Sequence, residues 1–335
     1  MRKLKKVNWG IIGVGDVTEV KSGPAFYKTE YSALVAVMRR DAGKAADYAR
    51  RHHVQKWYSN ASELIYDPDV DAVYIATPPN VHASYAIETM RAGKPVYVEK
   101  PMARNYAECK EILRVSEQTG VPIWVAYYRR TLPAFLEAKK LLEAGVIGRP
   151  LKVRIRLYKQ AEEKNQPKEE INWRVFPKIG GAGHFFDLAS HQFDYLDFVF
   201  GPVIDVHGSA SNLGGLYPAE DTVSGSWKHE SGVSGSGQWS FIADKDSEED
   251  EIEIIGKEGT IRLSCFTSPD TLKITTNDGE SVLKFINPEH ISQYLVQQLV
   301  DELRGVGTCV STGESGARTN WVLEQMVRDY YSDKG

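Results

Sequence analysis

The sequence predicts an α/β protein: a doubly wound parallel sheet at the amino terminus, followed by an α+β domain built on an open, mainly antiparallel sheet. Three observations carry this expectation. Over residues 1–126, short apolar runs alternate with helical patterns, the rhythm of strands buried on both faces and joined by helical crossovers. Beyond residue 126 the strands lengthen and alternate apolar with polar positions, as in a sheet with one wet face. A chain of 335 residues also exceeds what one ordinary core organises. Two domains are expected, 1–126 and 127–335.

The elements follow in order. Residues 7–12 form a strand that leads through a glycine turn into a helix. Residues 33–38 form a second strand and 41–52 a helix rich in Ala, Lys and Arg. A strand at 72–76 precedes a helix near 84–92. Another at 95–98 precedes a helix around 106–119 and the strand 122–126. The helix 133–144 opens on Pro133, whose fixed φ suits a first turn, and ends at Gly145, which suits a left-handed stop. Residues 152–158 alternate, with Val153, Ile155 and Leu157 on one face. Residues 251–255 and 260–263 flank Gly256-Lys257-Glu258-Gly259 as a hairpin. Residues 291–303 read as an amphipathic helix with Ile291, Tyr294, Leu295 and Leu299 on its buried side, stopped by Gly305 and Gly307. The acidic run 244–251 reads as a solvated loop before a strand.

Hydrophobic residues at 42% and charged residues at 26% are those of a soluble globular protein. A net charge of −4 points to no nucleic acid or anionic membrane partner. The basic start, Met1-Arg2-Lys3-Leu4-Lys5-Lys6, is followed by an apolar run that ends early at the glycine turn, unlike a secretory leader. Three scattered cysteines, Cys109, Cys265 and Cys309, fit a reducing compartment, by default the cytoplasm, and no metal-ligand spacing.

Gly13-Val14-Gly15-Asp16-Val17-Thr18 follows the first strand and opens a helix. Glycines let the chain turn tightly and let backbone approach a pyrophosphate, while the helix start offers N–H groups to the anion. This is a Rossmann fingerprint with Thr18 in the third glycine position. At the end of the second strand stands Met38-Arg39-Arg40-Asp41. An NAD site usually carries a carboxylate there for the ribose hydroxyls, whereas guanidinium groups bind a 2′-phosphate. Arg39 and Arg40 therefore favour NADP(H). The competing reading is two solvated arginines with Asp41 as a displaced NAD-type carboxylate.

Val98-Glu99-Lys100-Pro101 closes a strand at the edge where ligands gather in such sheets. Desolvation beside an oxidised nicotinamide would lower the Lys100 pKa and fit it for proton transfer. Farther on, Gly180-Gly181-Ala182-Gly183 leads into a helix carrying Asp187 and His191 four residues apart, hence on one face. A carboxylate beside an imidazole raises its basicity and fixes its orientation. Alternative readings are a helix cap with a satisfied histidine, or a metal site of His184, Asp187 and His191 that lacks an evident fourth ligand.

In this order the motifs resemble the Gfo/Idh/MocA family of glucose–fructose oxidoreductase and inositol dehydrogenase relatives. The Gly13-Val14-Gly15 turn, Ala76-Thr77-Pro78-Pro79-Asn80-Val81-His82, Glu99-Lys100-Pro101, Trp173-Arg174, Asp187 and His191 carry the resemblance, which runs over nearly the whole chain. It implies a second domain with an open antiparallel sheet that often mediates oligomers, here a homodimer or homotetramer. It also implies hydride transfer at a carbinol carbon, usually of a sugar or cyclitol. Lys100, Asp187 and His191 match the family's catalytic trio, with the histidine as proton acceptor and the lysine polarising the substrate oxygen; the proton is not assigned between them by sequence. Thr77, Pro78, Asn80 and His82 match a segment that contacts cofactor phosphate and ribose. Glu99 and Lys100 count among the cofactor-binding residues, Trp173 and Arg174 match a segment near the nicotinamide end, and Tyr128 and Arg129 the substrate pocket. Thr18 and Ala182 depart from the pattern.

The expected function is therefore an NADP(H)-dependent dehydrogenase or reductase of a sugar or polyol. Two alternatives stand beside it: a non-catalytic NADP(H)-binding sensor, and a glycoside-acting enzyme with tightly held NAD(H).

Overall fold

The computed structural model describes residues 3–161 and 172–332, so Met1 and Arg2 of the basic start lie outside the described residues. The chain divides into two compact units, Met1–Tyr128 with Pro288–Ala317, and Arg129–Asn287 with Arg318–Gly335. The first boundary falls after Tyr128 rather than after residue 126, and the stretch 288–317, expected in the second domain, belongs to the first unit.

The first unit begins with β1 (Val7–Ile12), α1 (Asp16–Val20), α2 (Ala25–Lys28), β2 (Ser32–Met38), α3 (Ala42–Arg51), β3 (Lys56–Tyr58), α4 (Ala61–Ile65) and β4 (Ala72–Ile75). It continues with α5 (His82–Arg91), β5 (Val96–Val98), α6 (Tyr106–Thr119) and β6 (Ile123–Val125). All six strands are parallel, in the order β3-β2-β1-β4-β5-β6. Helices cover both faces. Along β4, Val73 and Ile75 enter one core with Leu64, Met90 and Ile112, while Ala72 and Tyr74 enter the other with Trp9, Phe26 and Tyr97. Each large apolar side chain so buried contributes about 1.5–3 kcal/mol.

The second unit contains α7 (Pro133–Glu143), β7 (Pro150–Gln160), α8 (Pro177–Gly180), α9 (His184–Phe200), β8 (Val203–Ser211), β9 (Thr222–His229) and β10 (Ser234–Ala243). Then come β11 (Glu249–Gly256), β12 (Gly259–Leu263), β13 (Thr271–Thr276) and β14 (Gly279–Lys284). The sheet order is β14-β13-β12-β11-β7-β10-β9-β8. Only the β7–β10 pairing is parallel among these. As the alternation predicts, Val153, Ile155 and Leu157 of β7 are buried. Between them Arg154 and Arg156 point outward, to Glu253 and to Glu249 and Glu251 across the β7–β11 ladder. The acidic run therefore does not end as a loop: Glu249 to Glu251 are strand residues, and Asp250 accepts the N–H groups of Cys265, Phe266 and Thr267.

The chain closes with α10 (Gln293–Arg304) and α11 (Gly313–Ser332). The buried stripe of α10 is Leu295, Val296, Leu299, Val300 and Leu303, which joins the Trp9 core and so returns 288–317 to the first unit. Tyr294, expected on that stripe, lies beside it and is 44% exposed. Gly305 ends the helix at φ +74°, as expected of a left-handed stop.

In the second unit β8 passes so close to α11 that a Cβ on Gly208 would lie 2.1 Å from the Met326 carbonyl oxygen and 2.5 Å from its Cα. Backbone cannot yield as a flexible side chain does. Gly208→Ala should cost about 1–3 kcal/mol, lowering Tm by roughly 2–4 °C per kcal/mol for a unit of this size. Thermal unfolding followed by circular dichroism checks this; an unchanged Tm would contradict so tight a contact.

Candidate active site

In the first unit the candidate cofactor residues lie at the carboxyl ends of the parallel strands. β1 has β2 on one side and β4 on the other, the point where strand order reverses and such sheets open a crevice. Gly13 follows β1 at φ +95°, and a Cβ there would lie 2.6 Å from Thr77 Cγ2 and 3.0 Å from the Thr77 nitrogen. Only glycine allows the β1 turn and the β4 loop to run side by side. The Gly13 and Val14 amides donate to the Met38 carbonyl at 2.9 and 3.2 Å, which fixes the turn to the end of β2. Gly15 N–H donates to Thr18 Oγ1 at 2.9 Å, and that hydroxyl donates back to the Gly15 carbonyl at 2.8 Å. Thr18 is fully buried. Its side chain closes the turn. Asp16 is exposed and Val17 half-buried at the start of α1.

At the end of β2, Arg39 lays its guanidinium along the turn, with Nη1 donating to the Val14 carbonyl at 3.1 Å. Arg40 is exposed. Asp41 caps α3, its Oδ1 accepting the Lys44 amide at 3.0 Å, so that oxygen serves the helix start.

After β4, Thr77 and Pro78 are half-buried and Asn80 exposed. His82 is fully buried, with Nε2 2.7 Å from the Thr77 carbonyl and Nδ1 3.1 Å from the Pro101 carbonyl. Burial lowers its pKa. The ring stands between the Thr77 and Pro101 loops, one nitrogen facing each carbonyl, and the neutral ring donates its single N–H to one of them. After β5, the Glu99 amide donates to the Ile75 carbonyl at 2.9 Å, and Glu99 Oε1 accepts the Tyr74 hydroxyl at 2.5 Å. Tyr74 is buried and stacked on Tyr97 at 4.9 Å. Burial pushes its hydroxyl well above the usual range, which keeps it a donor. Glu99 Oε2 also accepts the Lys100 amide at 3.2 Å, and the Lys100–Pro101 bond is cis. Tyr128 is the unit's last residue before residue 288 and is half-buried.

In the second unit, α9 carries Asp187 in its first turn and His191 one turn later. Asp187 Oδ2 lies 3.2 Å from Arg174 Nε. The Arg174 guanidinium covers the Trp173 ring at 4.5 Å, and its Nη1 donates to Asn172 Oδ1 at 3.2 Å. Arg174 thus orients Asp187. His191 is buried, with its ring edge-on to Phe266 at 6.1 Å. Arg129 is buried too: Nε and Nη2 donate to the Cys265 carbonyl at 3.0 and 2.5 Å, and its plane lies 4.6 Å from the Phe266 ring. Its Nε and Nη2 thus serve a buried backbone carbonyl. His184 packs against Tyr217 and Phe241. Among the described residues no group of three His, Cys, Asp or Glu side chains is placed to hold a metal. Nor is any helix there long and apolar enough to cross a membrane.

Sequence reasoning missed the charged anchor of α9. Arg130, buried, donates through Nε and Nη2 to both Asp194 oxygens at 2.8 Å and reaches Asp197 at 3.3 Å. Arg318 closes on Asp197 with two bonds of 2.8 Å. The available signal was two aspartates within an otherwise aromatic helix run, where an unpaired carboxylate would be costly.

Comparison with known proteins agrees with this architecture. The model of an oxidoreductase family with an NAD-binding Rossmann fold (GFO_IDH_MocA) matches residues 7–127, and the GFO/IDH/MocA C-terminal domain matches residues 135–262. Oxidoreductase P35 of Formosa agariphila is 41% identical over 295 residues, 88% of this chain and 90% of its own. The 1,5-anhydro-D-fructose reductase of Ensifer adhaerens is 28% identical over 313 residues, covering 92% and 91%. A solved levoglucosan dehydrogenase in complex with NADH and levoglucosan shares the fold, with a TM-score of 0.86 at 24% identity over 98% of both chains.

The buried pair on α9 gives a pH-dependent prediction. Burial raises the Asp194 carboxyl to about 6, against the pull of Arg130. A folded-state value above the unfolded one of 3.8 means that stability present at low pH is lost as pH rises through 6. Without Arg130 that loss deepens. Arg130→Ala should cost about 3–5 kcal/mol at pH 8 and clearly less at pH 5, where Asp194 takes up a proton. Urea unfolding at both pH values checks this; an equal deficit at each would contradict it.

Proposed function

Because the chain belongs to the Gfo/Idh/MocA oxidoreductase family, we propose that it oxidises a carbinol of a sugar, polyol or related small molecule, or reduces the matching carbonyl, with NADP(H). The observation that carries this is the convergence of Gly13, Arg39, Thr77 and Glu99-Lys100 on one sheet edge at the strand-order switch. The names of relatives point to the substrate class: 1,5-anhydro-D-fructose reductase, levoglucosan dehydrogenase and scyllo-inositol 2-dehydrogenase (NAD(+)).

The residues fit a dinucleotide. A cradle that a Cβ at Gly13 would fill suits close approach of a pyrophosphate to residues 13–17. Arg39, set against the same turn, and the exposed Arg40 suit a 2′-phosphate, while Asp41 serves as a helix cap. Thr77, Pro78 and Asn80 would border ribose and phosphate, and Glu99, Lys100 and Trp173 the nicotinamide end. Thr18, His82 and Arg174 act behind them as braces. Bound there, the cofactor supplies the hydride acceptor or donor. Lys100 then donates a hydrogen bond to the substrate oxygen, and His191 takes the hydroxyl proton in the oxidative direction. Asp187, held by Arg174, keeps a carboxylate on the helix face that carries His191. Tyr128 borders the substrate.

The three cysteines, odd in number and scattered along the chain, support a cytoplasmic setting. The outer face of the eight-stranded sheet is the surface proposed for a homodimer or homotetramer.

NADPH should bind more tightly than NADH in a fluorescence titration, and Arg39→Asp should weaken NADPH by about tenfold or more, as expected for lost charge-assisted bonds. Equal affinities would remove the NADP assignment. Lys100→Ala and His191→Ala should each lower kcat by about 10²-fold or more without unfolding. A panel of sugars, polyols and dicarbonyls assayed with NADPH and NADP⁺ supplies the substrate, and near-wild-type rates in either variant would overturn its role.

A further inference from the structure

α9 begins at Gly183, which has no side chain to cap the helix, yet the first amides of a buried helix need acceptors. The acceptor comes from 37 residues away: Glu220, fully buried, places Oε1 and Oε2 at 3.0 and 3.1 Å from the Gly183 nitrogen. From α11, the Tyr331 hydroxyl donates to Glu220 Oε2 at 2.5 Å. A Cβ on Gly183 would lie 2.6 Å from the Glu220 carbonyl oxygen and 2.9 Å from Ala219 Cβ. The two segments are thus in contact along their backbones.

The Glu220 segment is itself held. Asn212 Nδ2 donates to the Tyr217 and Ala219 carbonyls at 2.6 and 2.7 Å, and Asp221 accepts the Leu213 and Gly214 amides at 3.0 and 2.7 Å. We propose that Glu220 is a positioning residue for the active site, anchoring the start of α9 through Gly183 with Tyr331 as its second clamp, and so setting where Asp187 and His191 stand. This rests on the dehydrogenase reading of those two residues.

Two physical facts support it. An anion at a helix amino terminus interacts favourably with the helix dipole. A buried carboxylate is nevertheless costly: burial pushes Glu220 up to about 7, against the Tyr331 hydroxyl, the Gly183 amide, its own amide and the nearby His184. An apolar residue would fill the space without that cost, but it would leave the Gly183 amide without its acceptor.

The test compares Glu220→Gln, which keeps an acceptor for Gly183 and a donor for the Tyr331 oxygen, with Glu220→Ala, which keeps neither. Glu220→Ala should speed amide exchange over residues 183–187 by about tenfold, the loss of one hydrogen bond to a charged group. It should lower kcat by about tenfold or more, as misplacement of catalytic groups does, while NADPH affinity stays within about twofold because no cofactor residue is touched. Glu220→Gln should restore most of both. Three results would overturn the proposal: wild-type exchange in Glu220→Ala, a loss of cofactor affinity as large as the loss of kcat, or a Gln variant no better than Ala. If Glu220→Ala does not fold, Tyr331→Phe is read by the same criteria, and unchanged exchange and kcat there overturn the proposal. A wild-type protein that turns over no alcohol or carbonyl in the panel defeats the dehydrogenase reading, while the exchange measurement still decides whether Glu220 anchors the helix.

Discussion

A parallel sheet sends every strand end of one polarity to the same edge, and the first unit depends on that constraint. Because β1 lies between β2 and β4, the connections leaving it diverge, and the edge opens where they part. Gly13 makes the opening usable, since the β4 loop would collide with any side chain there. Trp9, Phe26, Tyr74 and Tyr97 pack ring against ring in series, the first two contacts tilted and the last stacked. Tyr74 turns that apolar column into a support for Glu99 through its hydroxyl. Loop position, glycine placement and the hydrogen bond to Glu99 are thus consequences of one strand order.

Much of this was legible in the sequence, for identifiable reasons. Strands buried on both faces show as unbroken apolar runs, which is why β1, β4, β5 and β6 fall where pattern puts them. Pro133 and Gly145 mark the ends of α7, and Gly305 the end of α10. The returning segment was not legible. That α10 buries its stripe against the Trp9 core is a long-range fact with no local mark, because amphipathicity tells which face is apolar and never what it meets. β9 and β10 hid for another reason. Their Ser and Gly content contradicts strand propensity, but Gly235 and Gly237 sit where a Cβ would strike the Trp227 and Trp239 rings. The glycines make room for the large side chains that hold α9, through Phe193 on Trp227 and Phe185 on Trp239.

The site was legible as a set of loops and less so as a set of contacts. Thr18, His82 and Arg129 stand in the segments where functional residues were expected, yet each faces protein: Gly15, the Thr77 and Pro101 carbonyls, and the Cys265 carbonyl. The common cause is that irregular backbone carries polar groups that no ladder satisfies, and buried ones require partners. A loop that approaches a ligand closely is the loop most in need of such braces. Residue type and motif position cannot separate the brace from the contact, because both call for a short polar side chain or a guanidinium in the same place.

α9 brings the same tension to the second unit. Its Phe185 and Phe193 pack on Trp239 and Trp227, but aromatic packing tolerates small rotations and slides, whereas a bidentate guanidinium–carboxylate pair does not. Arg130 on Asp194 and Arg318 on Asp197 fix the rotation of the carboxyl-terminal half, and Glu220 on Gly183 fixes the start. Burying these charges adds little net stability, and apolar replacements of equal volume would fill the space. What apolar replacements would not do is define the angle at which one helix face is presented. A helix proposed to carry two functional groups one turn apart needs that angle more than it needs further adhesion, which accounts for charged anchors on an element already packed through its aromatic side chains.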